Sequence, residues 1–339
     1  PGPWNDRAAR VSTGRFGGTR RSGFGGSAAV AGPGTGKTNV ITHRIAHLIR
    51  NHQVPPQQIF AVTFTNKAAQ EMLERIKELL GTTQGLDVRI HTFHAFCVRL
   101  LREHAPEIGL SRNFAIFDQE TQDEILIECL RELKQNRLDY PSWMLRNIIS
   151  AYKVKLEDAA ANRDEICMGD GTLINEPKQI QNIVGLLKAY QTKLATHNAL
   201  DFDDLISRSV EVLDRVPAVR AKYHSDFRFI LVDEYQDINI AQYALLKYLV
   251  RSPQHNVMVV ADEDQSIYSW RGSSPKYIEQ FKVDFNPTVV ELEEHYRCSE
   301  KILRAAQAVI ARNTRQKENV LKTHKGAGNT IFHYMLGMP

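Results

Sequence analysis

The sequence predicts an α/β fold, a mostly parallel sheet flanked by helices and interrupted partway by an all-helical insertion. Three observations carry this. Short apolar runs alternate with helical stretches from Ala28 to about residue 105. Strand signals fade between residues 106 and 225, where apolar residues recur at helical spacing. Strand-like runs then return after residue 226. Such alternation is the pattern of a parallel sheet with crossover helices. A chain of 339 residues is also long for one domain, so two or more are expected.

Each element follows from local chemistry. Residues 1–27 include "GRFGGTRRSGFGG", which has neither helical nor strand period and reads as a disordered tail or as an RGG-like nucleic-acid segment. "SAAVAGPGTGKT" runs a small apolar strand into a glycine-rich loop. After it, Val40, Ile41, Ile45, Leu48 and Ile49 are spaced for one helix face. "IFAVTF" reads as a strand, and Thr65 is placed to cap a helix over Asn66 to Leu80. "VRIHTF" is a further strand. "ETQDEILIECLRELKQN", "SWMLRNIISAYKVKL", "IQNIVGLLKAYQTKLATHN" and "FDDLISRSVEVLDRV" supply the helices of the insertion. "FRFILVD", "NVMVVAD" and "TVVELEEHYR" are the returning strands, followed by a helix that Ser299 would cap.

Composition narrows the class. Hydrophobic content of 42% and charged content of 24% fit a globular protein. A formal charge of +4 permits an anionic partner without demanding one. The four cysteines, Cys97, Cys129, Cys167 and Cys298, form no CxxC pair, so neither a zinc site nor a disulfide framework is expected. No apolar run reaches membrane-spanning length. A reducing, cytoplasmic setting is the simple expectation.

The chemistry concentrates in two places. "AGPGTGKT", residues Ala31, Gly32, Pro33, Gly34, Thr35, Gly36, Lys37 and Thr38, is a Walker A loop with Ala in place of the first Gly. Its backbone N–H groups and the following helix N-terminus suit a phosphate. Lys37 would reach the β- and γ-phosphates of ATP, and Thr38 would ligate Mg²⁺. The second place is "FRFILVDEYQD", an apolar run that stops at Asp233 and Glu234. A buried strand avoids unpaired carboxylates. Beside a phosphate loop the pair makes sense: Asp233 for the metal, Glu234 for the attacking water.

The ordered set "AGPGTGKT", "AVTFTNKAA", "HTFHAF", "LDFDDL", "LVDEYQD", "VVADEDQSIYSWRGS" and "HYRCS" resembles the UvrD/PcrA/Rep family of superfamily 1A DNA helicases, over roughly residues 28–331. The resemblance implies a RecA-like P-loop NTPase domain formed by 28–105 and 226–287, a helical insertion over 106–225, and the start of a second motor domain at 288–339. It implies that Gln265 senses the γ-phosphate, Arg297 acts as an arginine finger and Tyr296 stacks on adenine. On residue chemistry alone, without the resemblance, Tyr296 reads as ordinary core and Arg297 as a partner of Glu293 or Glu294. The implied partner is single-stranded DNA or a 3′-tailed duplex, in repair or replication restart, with 3′-to-5′ movement. Thr63, Phe64, Thr65, Asn66, Thr92, His94, Tyr268, Trp270 and Arg271 would form the DNA surface. Phe93 and Phe96 are expected in the core, and "DFDD" is expected to cap the helix after it. The nuclease-linked RecB/AddA-like branch and a non-catalytic nucleotide-binding remnant are the alternatives.

Two departures from the family pattern stand out. Family members begin with an "LNxxQ" stretch whose glutamine reads adenine, whereas the first glutamine here is Gln53. The family also continues well past residue 339, so this chain alone is expected to turn over ATP slowly.

Overall fold

The computed structural model describes residues 27–81, 87–133, 142–154, 166–167, 173–174, 176–252, 256–267, 273–312 and 321–332. The Gly/Arg-rich stretch lies outside the described residues up to residue 26, and Ser27 already belongs to the first strand.

Six parallel strands form the main sheet. They are β1 (Ser27–Ala31), β2 (Ile59–Thr63), β3 (Arg89–Thr92), β8 (Phe229–Val232), β9 (Val257–Ala261) and β10 (Thr288–Leu292), in the order β10-β1-β9-β8-β2-β3. Every pairing is parallel. Central strands of such a sheet are covered on both faces, so they need apolar residues throughout. Accordingly β2, β8 and β9 are buried at every position. Their residues alternate between two cores. Phe229 and Leu231 join Ile59, Ala61, Met258 and Val260 on one face. Ile230 and Val232 join Phe60, Val62, Val257 and Val259 on the other. The uninterrupted run Phe229-Ile230-Leu231-Val232 is therefore a consequence of double coverage.

Helix α1 (Lys37–His52) and α2 (Asn66–Leu80) cover the first face through Val40, Ile41, Ile45, Met72 and Ile76. Thr65 caps α2, its hydroxyl accepting from Ala68 N at 3.1 Å. The second face is covered by α3 (Phe93–His104), whose Phe93, Phe96, Cys97, Leu100 and Leu101 are buried. Phe93 and Phe96 are thus core residues.

The insertion has its own core. It is formed by α4 (Gln119–Glu132), α5 (Ser142–Val154) and α6 (Pro177–Thr196), and includes Leu126, Ile148, Ile183 and Tyr190. It is not wholly helical. Two-residue strands β4 (Ala115–Ile116) and β7 (Ala199–Leu200) pair in parallel, and β5 (Ile166–Cys167) pairs antiparallel with β6 (Leu173–Ile174). Such short pairs leave no readable period in sequence.

Packing divides the chain elsewhere than expected. The strand β7 sends Ala199 into the insertion's core and Leu200 into the sheet's core. Helix α7 (Phe202–Arg215) and α8 (Pro217–Asp226) follow, and Leu205, Ile206, Val212, Leu213, Val219 and Tyr223 all pack on the main sheet. The expected insertion boundary at 225 therefore falls more than twenty residues beyond the change of core. Helical spacing reports that a face is apolar but not which core it meets. With α9 (Ile240–Leu249) and α10 (Lys276–Phe285), these helices complete the second face. At the other end β10, expected in a second domain beginning at 288, pairs with β1 as a sheet edge, Thr288 opposite Ser27. Beyond it lie β11 (Glu294–His295), α11 (Glu300–Ile310) and β12 (Lys322–Thr323), with β11 and β12 paired in parallel. Ser299 takes the N-cap position of α11 without a side-chain capping bond. Among the described residues no helix is long and apolar enough to cross a membrane.

Candidate nucleotide and nucleic-acid site

The loop after β1, the acids after β8 and the acid after β9 all leave the sheet at the carboxyl ends of its strands. In open α/β sheets that end carries the binding crevice. Gly34 (φ 72°) and Gly36 (φ 87°) adopt left-handed backbone that side chains resist. A Cβ on Gly34 would also lie 2.5 Å from His295 Nε2. Thr35 closes the turn by donating its hydroxyl to the Gly32 carbonyl at 2.8 Å. Helix α1 begins at Lys37, leaving its first N–H groups facing the loop. Ala31 ends β1, and Pro33 is half-buried in the loop.

The buried Lys37 ammonium pairs with Asp262 Oδ2 at 3.0 Å. Gln265 Nε2 donates to that same oxygen at 2.5 Å. The Asp262 backbone N–H donates to Gln236 Oε1 at 2.9 Å. Asp262 is 1% exposed, and burial raises its pKa against the opposing pull of Lys37. It therefore joins the phosphate-loop lysine to the expected γ-phosphate sensor. The sequence reading missed it, although "NVMVVAD" ends on an acid just as "FRFILVD" does.

Thr38 donates its hydroxyl to Asp233 Oδ2 at 3.0 Å. Burial, and then the charge of Glu234, push Asp233 up to about 6. Glu234 sits in left-handed backbone at φ 50°, uncommon for a side-chain-bearing residue. Its carboxylate accepts from Gln236 Nε2 at 2.7 Å. Asp237 is likewise raised to about 6 by burial and by Glu234, and its Oδ1 is buried with no hydrogen-bond partner among the described residues. Among the described residues no group of three or more carboxylates, histidines or cysteines is placed to hold a metal ion by itself, but the Thr38 hydroxyl and the Asp233 carboxylate set oxygen donors of the kind a hard divalent cation takes beside the phosphate loop. The residues fit Mg²⁺ bound with a polyphosphate.

The "HYR" segment lies directly on the phosphate loop. Tyr296 N donates to the Gly34 carbonyl at 2.9 Å. The Tyr296 side chain is 39% exposed and its hydroxyl donates to Glu294 at 2.8 Å, so it is not core. Arg297 is exposed and forms no ion pair among the described residues, including with Glu293 or Glu294.

On the nucleic-acid side, Phe64 is exposed where β2 ends, beside the exposed Thr65 and Asn66. Thr63 is buried and donates to the Thr65 carbonyl at 2.9 Å. Thr92 caps α3, accepting from Ala95 N at 3.2 Å. Two of the expected threonines thus also hold helix starts. His94 meets Phe202 edge-on, ring centroids 5.7 Å apart. Phe202 is 44% exposed, and its contact with His94, in the first turn of the helix that follows β3, sets it near the end of that strand. In sequence its motif predicts only a helix cap, and Asp201 and Asp204 do form a capping box. Tyr268, Trp270 and Arg271 lie outside the described residues.

Behind Phe202, the buried Lys153 ammonium bridges Asp201 Oδ2 at 2.5 Å and Asp204 Oδ2 at 2.9 Å, and Tyr190 donates to Asp201 at 3.1 Å. This network ties α5 and α6 of the insertion to the start of α7.

Comparison with known proteins gives a consistent match. The UvrD/REP helicase N-terminal domain model matches residues 24–286. The chain is 40% identical over 315 residues to the ATP-dependent DNA helicase PcrA of Bacillus subtilis. It is 39% identical over 306 residues to the proteins of the same name from Leuconostoc citreum and Staphylococcus aureus. Each match covers 90% of this chain and 40% of the relative, so the chain spans well under half the length of the relatives it matches.

Proposed function

Because this chain belongs to the UvrD/REP helicase family, we propose that it is the nucleotide- and DNA-binding part of an ATP-dependent DNA helicase. The observation that carries this is the convergence of Lys37, Asp262 and Gln265 with Thr38 and Asp233 at one phosphate loop. Lys37 and the loop residues Ala31 to Thr38 hold the phosphates of ATP, and Tyr296 flanks the base. Thr38 and Asp233 would hold Mg²⁺, which when bound neutralises charge on the phosphates. Glu234 orients the attacking water and accepts its proton. Arg297 places positive charge at the transferring phosphoryl group, an effect of about 10³–10⁵ in rate where such fingers are used.

Lys37 and Gln265 share Asp262 in this structure. A γ-phosphate that takes Lys37 from Asp262 changes what Gln265 pairs with. Gln265 leads into Ser266, Ile267 and the segment holding Tyr268, Trp270 and Arg271, so nucleotide state would reach the DNA surface along the chain. Phe64, His94, Phe202 and the segment at 268–271 stack bases of single-stranded DNA, with Thr63, Thr65, Asn66 and Thr92 near its backbone. In the whole protein the substrate is single-stranded DNA or a 3′-tailed duplex, movement is 3′ to 5′, and the setting is cytoplasmic.

The test is nucleotide binding by a fluorescent ATP analogue and phosphate release with and without oligo(dT). Lys37→Ala should abolish binding. Undiminished binding in that variant, or binding and turnover indifferent to DNA, would overturn the proposal.

A further inference from the structure

The ring of His295 has no part in the chemistry above, yet it is 4% exposed, accepts two backbone hydrogen bonds and occupies the space beside Gly34. Its Nδ1 accepts from two successive backbone groups, Arg297 N at 3.2 Å and Cys298 N at 3.1 Å. An acceptor nitrogen carries no proton, so in the neutral ring the proton sits on Nε2. Nε2 faces the phosphate loop, 2.5 Å from where a Gly34 Cβ would stand. The turn is held from its other side as well. Thr323 donates its hydroxyl to the Cys298 carbonyl at 2.9 Å, and Lys325 Nζ donates to the Arg297 carbonyl at 3.2 Å. The main-chain bond from Tyr296 to Gly34 completes the seat.

We propose that His295 is a positioning residue that docks the arginine-bearing turn onto the phosphate loop, setting where the Arg297 side chain starts. The inference rests on Arg297 acting as the finger. Glycine at 34 serves two ends at once: it supplies the left-handed turn and leaves room for the imidazole. Because the hydrogen bond that Arg297 makes to His295 comes from its backbone N–H, His295 should affect the transition state and leave ground-state nucleotide affinity nearly intact.

Three substitutions separate this from mere packing. In His295→Asn an oxygen takes the place of Nδ1, the same number of bonds from Cβ, and can accept both N–H groups. In His295→Gln the oxygen lies one bond too far. In His295→Leu there is no acceptor. Hydrogen exchange at the Arg297 and Cys298 amides reads docking directly, whether or not the chain turns over ATP. Both amides should be protected in the wild type and in His295→Asn, and should exchange at least about tenfold faster in the Leu and Gln variants. The affinity for ADP–aluminium fluoride relative to ADP reads the finger. It should fall about tenfold or more in Leu and Gln, and be kept in Asn. In an Arg297→Ala background, His295→Gln should add nothing. Should the Leu variant fail to fold, the Asn and Gln pair carries the comparison. Unchanged amide exchange in Gln, or failure of Asn to restore protection, overturns the role of His295. Unchanged analogue preference in Arg297→Ala instead overturns the finger itself.

Discussion

Replacing Asp233 with Asn should make the nucleotide-free chain more stable at pH 7 while removing its response to Mg²⁺-nucleotide. Burial and Glu234 raise the Asp233 carboxyl from 3.8 to about 6. A shift of about two units corresponds to about 3 kcal/mol against the ionised form. The folded pKa lies above the unfolded one, so the contribution is fully present below about pH 4 and is lost as pH rises through about 6. Asparagine is neutral throughout and escapes that loss. It brings its own cost, because Thr38 Oγ1 and Glu234 N each donate to the carboxylate at 3.0 Å and the amide offers one oxygen for the two. One lost bond is worth about 1 kcal/mol. The variant should therefore gain about 1–2 kcal/mol at pH 7 and gain nothing below about pH 4. Urea denaturation in EDTA at pH 7, 5.5 and 4 measures this. Saturating Mg²⁺-ATP should then reverse the order, since ligand at a hundred times its Kd stabilises the wild type alone by about 2.7 kcal/mol. A variant less stable than wild type at pH 7 in EDTA, or a difference that ignores pH, would refute the reasoning.

Two further outcomes follow from residues outside the nucleotide site. Phe202→Ala should weaken single-stranded DNA binding about 10- to 100-fold, the loss of one stacked base, without changing the slope of affinity against salt, because no phosphate contact is removed. Fluorescence anisotropy across a salt series decides it, and unchanged affinity or an altered slope would place Phe202 outside the DNA surface. Lys153→Met should cost about 3–5 kcal/mol in urea denaturation, because Asp201 and Asp204 are left facing each other in a buried site. Asp204→Asn in the same chain should recover part of it, and a Lys153→Met variant within about 1 kcal/mol of wild type would show that the network contributes little.

What could be read from sequence was what neighbouring residues decide among themselves. The central strands were legible because double coverage forces unbroken apolar runs. The phosphate loop was legible because its glycines, Lys37 and Thr38 are contiguous. Thr65 and Asp201 were legible as caps because a cap acts within three residues. The residues missed take their roles from partners far along the chain. Asp262 becomes part of the site through Lys37, 225 positions away. Phe202 stands in the middle of a capping motif in sequence, and only the His94 ring packed against it in space marks it out. Helix α7 carried an apolar face that suited either core, and β10 a strand pattern that suited either domain; only their neighbours settle both. The same physics still ties the missed acid to the predicted one. Asp233 and Asp262 end adjacent parallel strands, β8 and β9. A strand buried on both faces can carry a carboxylate only where it leaves the sheet, and only where a cation or donor meets it. In this protein Lys37 and Gln265 meet one of the two and Thr38 meets the other. An apolar strand run that stops on an acid is therefore a marker of the site wherever it recurs in a chain with a phosphate loop, and here both occurrences converge on it.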